Sequence, residues 1–224
     1  MTEEYPSRKQ LVLYSCIAVF IASLIISSVT AVKLWSLTIP VVNYMIVIPV
    51  GTSLFALTFL ATDVIAEVWG KSYSMAVVII GFVSRLLALG FFAFAVWVEP
   101  VSFFANEAAY DTILSGSNRI IIAGIVAYLV SQTNDVFVFH YFKKRDEGKN
   151  RLWKRNNLST FTSQFLDSFI FIMIAFVGVM TAPQLISAII GQVVIKWLIA
   201  LADTPFIYML RNFATGRKLF DFTG

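Results

Sequence analysis

The chain has 224 residues, 58% of them hydrophobic and 13% charged, with a formal net charge of +4. An ordinary soluble domain carries about 25% charged residues, so this composition excludes a water-soluble globule and points to one integral membrane domain over 1–224. A single cysteine, Cys16, excludes an internal disulfide and reads as core packing within its apolar run.

A spanning helix needs about 20 mostly apolar residues. The N-terminal "MTEEYPSRKQ" is polar, and the apolar run after it is too long for a cleaved signal peptide. The first span covers roughly 11–32 and offers Ala18 and Ala22 as a small-residue contact face or as plain packing. The second covers roughly 42–69, where Pro49 and Gly51 predict a broken helix or a re-entrant start. The third and fourth cover roughly 74–98 and 119–142. The fifth, roughly 158–180, has Asn157 or Ser159 as its N-cap. The sixth, roughly 185–210, contains Pro205, which frees a carbonyl near Leu201. That proline either aims Asp203 and Thr204 inward or makes an ordinary membrane-helix kink. The expected fold is an all-α membrane protein with six transmembrane helices.

Charge in the connections sets the orientation. Arg8 and Lys9 precede the first span, "KKRDEGKNRLWKR" joins the fourth to the fifth, and Arg211, Arg217 and Lys218 follow the sixth. The connection between spans three and four holds Glu99, Glu107 and Asp111, and "TAPQ" between five and six is uncharged. With six spans, the positive-inside rule places both termini and the basic connection in the cytoplasm. The positive charge is therefore a topology signal before it is a nucleic-acid signal. The basic connection could also attract anionic lipid.

Polar residues remain inside these spans: Asp63 and Glu67 in the second, Arg85 in the third, Gln132, Asn134 and Asp135 in the fourth, Gln164 and Asp167 in the fifth, and Lys196 and Asp203 in the sixth. An ionised group at the bilayer centre costs about 2.5–3.5 kcal/mol on insertion scales, so such groups face the bundle interior. At 1.5 Å per residue, Asp63 lies about 9 Å from the cytoplasmic end of its helix, Asp135 about 10 Å, Asp203 about 12 Å and Asp167 about 13 Å. Arg85 and Lys196 lie deeper, at about 18 and 22 Å. Four acids from four helices thus share a layer. Glu67, one turn nearer the cytoplasm on the face of Asp63, either guards its mouth or sits among headgroups. "SQTND" (131–135) and "SQFLD" (163–167) repeat the pattern S-Q-x-x-D, whose Gln and Asp share a helix face. Two readings stay open. The bases could neutralise the acids and fix helix register, or the whole set could line a substrate chamber in which surplus acid is met by a proton or by a donor-bearing ligand.

His140 reads as interfacial, and Phe137, Phe139, Phe165, Phe169 and Trp197 as packing or lipid-facing, with one or two able to stack on a planar ligand. The chain has no H-E-x-x-H, G-x-S-x-G or Walker A motif, and one histidine with one cysteine cannot make a usual zinc site. Catalysis, ATP hydrolysis, a metal and a cofactor are not expected.

Four segments, "ATDVIAEVWGK", "SQTNDVFVFHYFKK", "RNNLSTFTSQFLDSFIFIMIAF" and "KWLIALADTPFIY", occur in the order found in the queuosine precursor transporter family, once grouped with vitamin-uptake transporters. The chain resembles that family from about residue 55 to 210, and Trp69 stands where the family often has Tyr. The resemblance implies a six-helix inner-membrane importer of 7-deazaguanine bases such as preQ0 and preQ1, or of queuine, for tRNA modification. Its motif positions fall on Asp63, Glu67, Gln132, Asp135, Gln164, Asp167, Lys196 and Asp203. A guanine-type edge offers N1–H and an exocyclic amine, which one carboxylate accepts together. Its carbonyl needs a donor such as Arg85, Lys196 or a Gln amide, and a 7-deaza base lacks the N7 that a two-point Arg contact uses. The expected partners are the base, the bilayer and, given the acid excess, protons, with no direct contact to nucleic acid. The alternative is the substrate-binding membrane subunit of an energy-coupling transporter driven by separate ATPases.

Overall fold

The computed structural model describes residues 5–31, 33–39, 44–115, 118–146, 151–178 and 180–220. Residues 32, 42–43 and 179 of the predicted spans and 147–150 of the basic connection lie outside the described residues. In chain order the elements are α1 (Arg8–Thr30), β1 (Leu34–Ile39), β2 (Tyr44–Pro49), α2 (Gly51–Val68), α3 (Lys71–Trp97), α4 (Glu107–Ser115), α5 (Asn118–Arg145), α6 (Leu152–Phe176) and α7 (Ala182–Thr215). Among the described residues, six of these helices are long and apolar enough to cross a bilayer. The seventh, α4, is a short amphipathic piece carrying Glu107 and Asp111 between α3 and α5.

Two helix starts differ from the outer bounds of the predicted spans. The helix of the second span begins at Gly51, at the predicted break. Leu34–Ile39 and Tyr44–Pro49 form an antiparallel hairpin in the register Leu34↔Pro49 to Ile39↔Tyr44. The segments are rich in β-branched and aromatic residues, which favour strand. Pro49 ends the second strand, where a missing N–H is tolerated, and α2 starts two residues later. The fifth span also starts earlier than 158. α6 runs from Leu152, with the Trp153 N–H donating to Tyr208 Oη of α7 at 3.2 Å. Asn157 and Ser159 are therefore interior residues and not caps. The Asn157 amide donates to Trp153 O at 2.7 Å, and the Ser159 hydroxyl to Asn156 O at 3.0 Å.

α2 is the inner helix, packed against α1, α3, α5 and α7, while α5 and α6 pack along each other as antiparallel neighbours. In lipid, helices associate by close van der Waals packing at small residues. Gly51 brings the start of α2 onto the Ser27 carbonyl of α1, and Gly81 of α3 leaves room for Phe20 and Tyr128. Tyr128, itself fully buried, satisfies its hydroxyl by donating to Val78 O at 2.6 Å. α7 opens with a Thr181–Gln184 capping box, continues through Pro205 and closes on Gly216 in the left-handed conformation (φ 72°). That conformation suits a residue without a Cβ.

The two ends of the described chain meet on one face of the bundle. Arg8 lies 5.8 Å from the centre of the Phe213 ring, and Lys9 lies 5.8 Å from that of Trp69. The starts of α1 and α6 and the ends of α2, α5 and α7 share this face, and basic residues crowd it.

Candidate functional site

One face of α6 supplies the polar spine of the bundle. Asn156, Thr160, Ser163, Gln164 and Asp167 are all buried and recur at helical spacing. Thr160, Ser163 and Asp167 each meet a different neighbour, and the result is three tiers.

At the basic face, Glu67 at the end of α2 joins Arg155 and Lys143. Arg155 Nη2 donates to Oε1 at 2.5 Å, and Lys143 Nζ stands 3.2 Å from Oε2. Lys143 also donates to the carbonyls of Ala66 and Glu67, at 3.1 and 2.7 Å. A cation there satisfies the open carbonyls of a helix C-terminus. Glu67 therefore belongs to an ion-pair cluster that ties α2, α5 and α6 together, and it does not line the cavity beneath.

The middle tier holds that cavity. It is lined by Phe59, Asp63, Asn156, Thr160, Gln164 and Asp203 among others. Its free space is about 10 Å³, room for roughly one water molecule. Asp63 is 1% exposed and accepts from the Thr160 hydroxyl at 3.2 Å through Oδ2. Asp63 Oδ1, Asn156 Oδ1 and Gln164 Oε1 are buried with no hydrogen-bond donor among the described residues. All three are acceptors, and a buried polar atom left unpaired costs about 1–3 kcal/mol. Asp203, half-buried on α7, adds a further carboxylate to the wall.

The innermost tier pairs a lysine with an aspartate. Lys196 Nζ of α7 donates to Asp167 Oδ2 at 2.5 Å and lies 5.6 Å from the centre of the Phe55 ring. Asp167 Oδ1 accepts from Ser131 Oγ of α5 at 3.2 Å. The reciprocal bond also forms, with Ser163 Oγ donating to Asp135 Oδ1 at 3.2 Å. The two S-Q-x-x-D segments therefore cross-pair, the serine of each serving the aspartate of the other.

The remaining predicted residues fall outside the cavity wall. Gln132 is committed to α2, donating to Thr58 Oγ1 at 2.9 Å and accepting from Thr62 Oγ1 at 3.4 Å. Asn134 braces α5 to α6 through Thr162 and Ser163, both at 3.2 Å. Arg85 donates to the Gly124 carbonyl at 3.0 Å across the α3–α5 contact. Asp135 is 1% exposed and accepts from Ser163. Among the aromatics, Phe137, Phe165 and Phe169 are exposed on the bundle surface, Phe139 is core, and Trp197 donates to Phe161 O at 3.0 Å. Sequence reasoning missed Asn156 and Thr160, which it passed over as residues flanking a helix start. A run of polar residues continuing the i, i+4 face of Gln164 was the available signal.

Six apolar helices long enough to cross a bilayer, around a layered polar interior with a small cavity walled by unpaired acceptors, make a multi-pass membrane protein. The comparisons agree: residues 49–210 match the family described as "Putative vitamin uptake transporter", and the chain belongs to that family. A relative from Bacillus subtilis (strain 168), described as "Probable queuosine precursor transporter", is 33% identical over 163 residues, covering 72% of this chain and 71% of its own length. No solved structure matches the chain.

Proposed function

We propose that this protein imports queuosine precursors, 7-deazaguanine bases such as preQ0 and preQ1 or the base queuine, across the bacterial cytoplasmic membrane without an ATPase partner. The observation that carries the reading is the donor deficit of the cavity. Asp63, Asn156 and Gln164 present three unpaired acceptors, and a guanine-type edge brings N1–H and a two-hydrogen amine. An ionised carboxylate receiving two such donors at once forms the stronger, charge-assisted kind of hydrogen bond. Asp203 then stands ready for a cationic side group such as the aminomethyl of preQ1. The described relative's 33% identity supports the substrate class.

A fused bicyclic base is far larger than one water, so binding requires the helices around the cavity to part. The Glu67–Arg155–Lys143 cluster closes the end nearest the basic face. Opening on that side must separate these charges or move them as a unit. The positive-inside rule makes that face cytoplasmic, with both termini inside.

Purified protein in liposomes tests the reading. Entry of labelled preQ0 or preQ1 in exchange for unlabelled base trapped inside is expected from the chain alone, with loss of saturable binding in Asp63→Asn. Binding without exchange would instead favour a capture subunit that needs ATPase partners, and absence of both would end the proposal.

A further inference from the structure

The cross-paired motifs put Asp135 and Asp167 in equivalent positions, each accepting from the other segment's serine at 3.2 Å. Their second oxygens are treated differently. Asp167 Oδ2 receives Lys196. Asp135 Oδ2 receives no donor, and among the described residues no cation pairs with it. Its neighbour is another acid: Asp63 and Asp135 accept from Thr160 and Ser163, two hydroxyls one turn apart on the same face of α6, and Asp63 Oδ1 lacks a donor too. Two carboxylates this close, each 1% exposed, cannot both carry charge in a dry interior. One hydrogen between them turns one orphaned oxygen into a donor to the other. Where one half of the paired motif is neutralised by a lysine, the other half has the geometry to be neutralised by a proton.

We propose that Asp63 and Asp135 share a single proton and form the coupling site of the transporter, separate from the Lys196–Asp167 pair. The inference rests on reading the adjoining cavity as the base site, because Asp63 belongs to both. It lines the cavity, and the Thr160 hydroxyl it accepts from stands one turn from the Ser163 hydroxyl that serves Asp135. Occupancy of the cavity and protonation of the pair therefore act on one carboxyl, which is what coupling requires. Asp135, behind it, exchanges its proton through Asp63.

The surroundings isolate the pair. α6 contributes the neutral hydroxyls of Thr160 and Ser163. α7 contributes Asp203 across the cavity and, deeper, Lys196, already engaged by Asp167. Glu67, Arg155 and Lys143 are engaged with one another one turn away. Arg85 of α3 is held by Gly124 O, and Cys16 of α1 lies in the apolar core.

Two measurements on the full-length protein test this. Infrared spectra across a pH titration should contain a protonated-carboxyl band that disappears in Asp63→Asn and in Asp135→Asn and persists in Asp203→Asn. A band surviving both dyad substitutions, or absent from the wild type, would overturn the proposal. In liposomes, uncharged preQ0 keeps the substrate's own titration out of the readout. With one proton per base, an acid-outside gradient of about one pH unit should sustain about tenfold accumulation, a factor of ten per unit. In Asp135→Asn that accumulation should vanish while preQ0 exchange falls by less than about threefold, the signature of a lost driving force rather than lost binding. Wild-type exchange that ignores the gradient would overturn the proton site and leave the import reading intact. No exchange at all would overturn the import reading, and the infrared band would then decide the shared proton by itself.

Discussion

Lys196 and Asp167 illustrate what a buried pair means for a single residue. Both are sealed in the bundle, so Lys196→Met takes the ammonium from a buried carboxylate and leaves it the Ser131 hydroxyl. Breaking one side of a buried pair costs about 3–5 kcal/mol, whereas replacing both partners with uncharged residues restores most of it. Unfolding in detergent should follow that order, with Lys196→Met well below wild type and Lys196→Met/Asp167→Asn between them. Equal stability of the single and double variants would dissolve the pair. The glutamines separate two roles that look alike in sequence. Gln132 is spent on Thr58 and Thr62, and Gln164 has an unpaired oxygen at the cavity. Gln164→Leu should weaken base binding about tenfold, the value of one lost polar contact of 1–3 kcal/mol, and leave the melting temperature near wild type. Gln132→Leu should lower the melting temperature, because it removes the hydrogen bonds that tie α5 to Thr58 and Thr62 of α2. Asp63, Gln164 and Asp203 were legible because an ionisable or amide group inside a span is a functional candidate by default. The same default singled out Asn134, which the structure sets against Thr162 and Ser163. One residue's rotation, about 100°, turns it from the face of Asp135 toward Thr162.

At the scale of elements, the spans were legible from apolar length, and the hairpin was not. Leu34–Ile39 and Tyr44–Pro49 are short apolar runs, which periodicity cannot assign to strand or helix. Pro49 and Gly51 did mark the break, and α2 begins there. The cross-pairing of the S-Q-x-x-D segments was half legible: the repeat is visible in the letters, but the antiparallel register that makes it reciprocal is a property of the α5–α6 contact. Helix contacts also separate the glycines. A Cβ on Gly51 would collide with the Ser27 backbone carbonyl, whereas Gly90 faces open space. Gly51→Ala should destabilise the bundle, since backbone cannot yield as a side chain does. Gly90→Ala should be neutral or gain up to about 1 kcal/mol from helix propensity. Thermal unfolding of the two variants side by side checks the α1–α2 contact, and equal behaviour would refute it.

For the molecule as a whole, the orientation deduced from charge makes a labelling prediction. Cys16 is buried, so new cysteines report cleanly. Ser7→Cys and Arg217→Cys should react with an impermeant thiol reagent only from the cytoplasmic side, and Glu107→Cys only from outside, all three positions being exposed. Reaction of the two terminal positions from outside would invert the topology. On that proposed orientation the tiers acquire directions: a charge cluster at the cytoplasmic end, an acceptor-lined cavity above it, and a paired lysine and aspartate beyond. Those assignments serve one claim, that this chain by itself brings a queuosine precursor into the cell. The most direct test is to express it alone in cells able neither to make nor to import such precursors, supply preQ0, preQ1 or queuine at low concentration, and assay queuosine in tRNA. The account predicts restored queuosine with the wild type and none with Asp63→Asn at equal membrane abundance. Absence of queuosine with abundant, folded wild-type protein would contradict it.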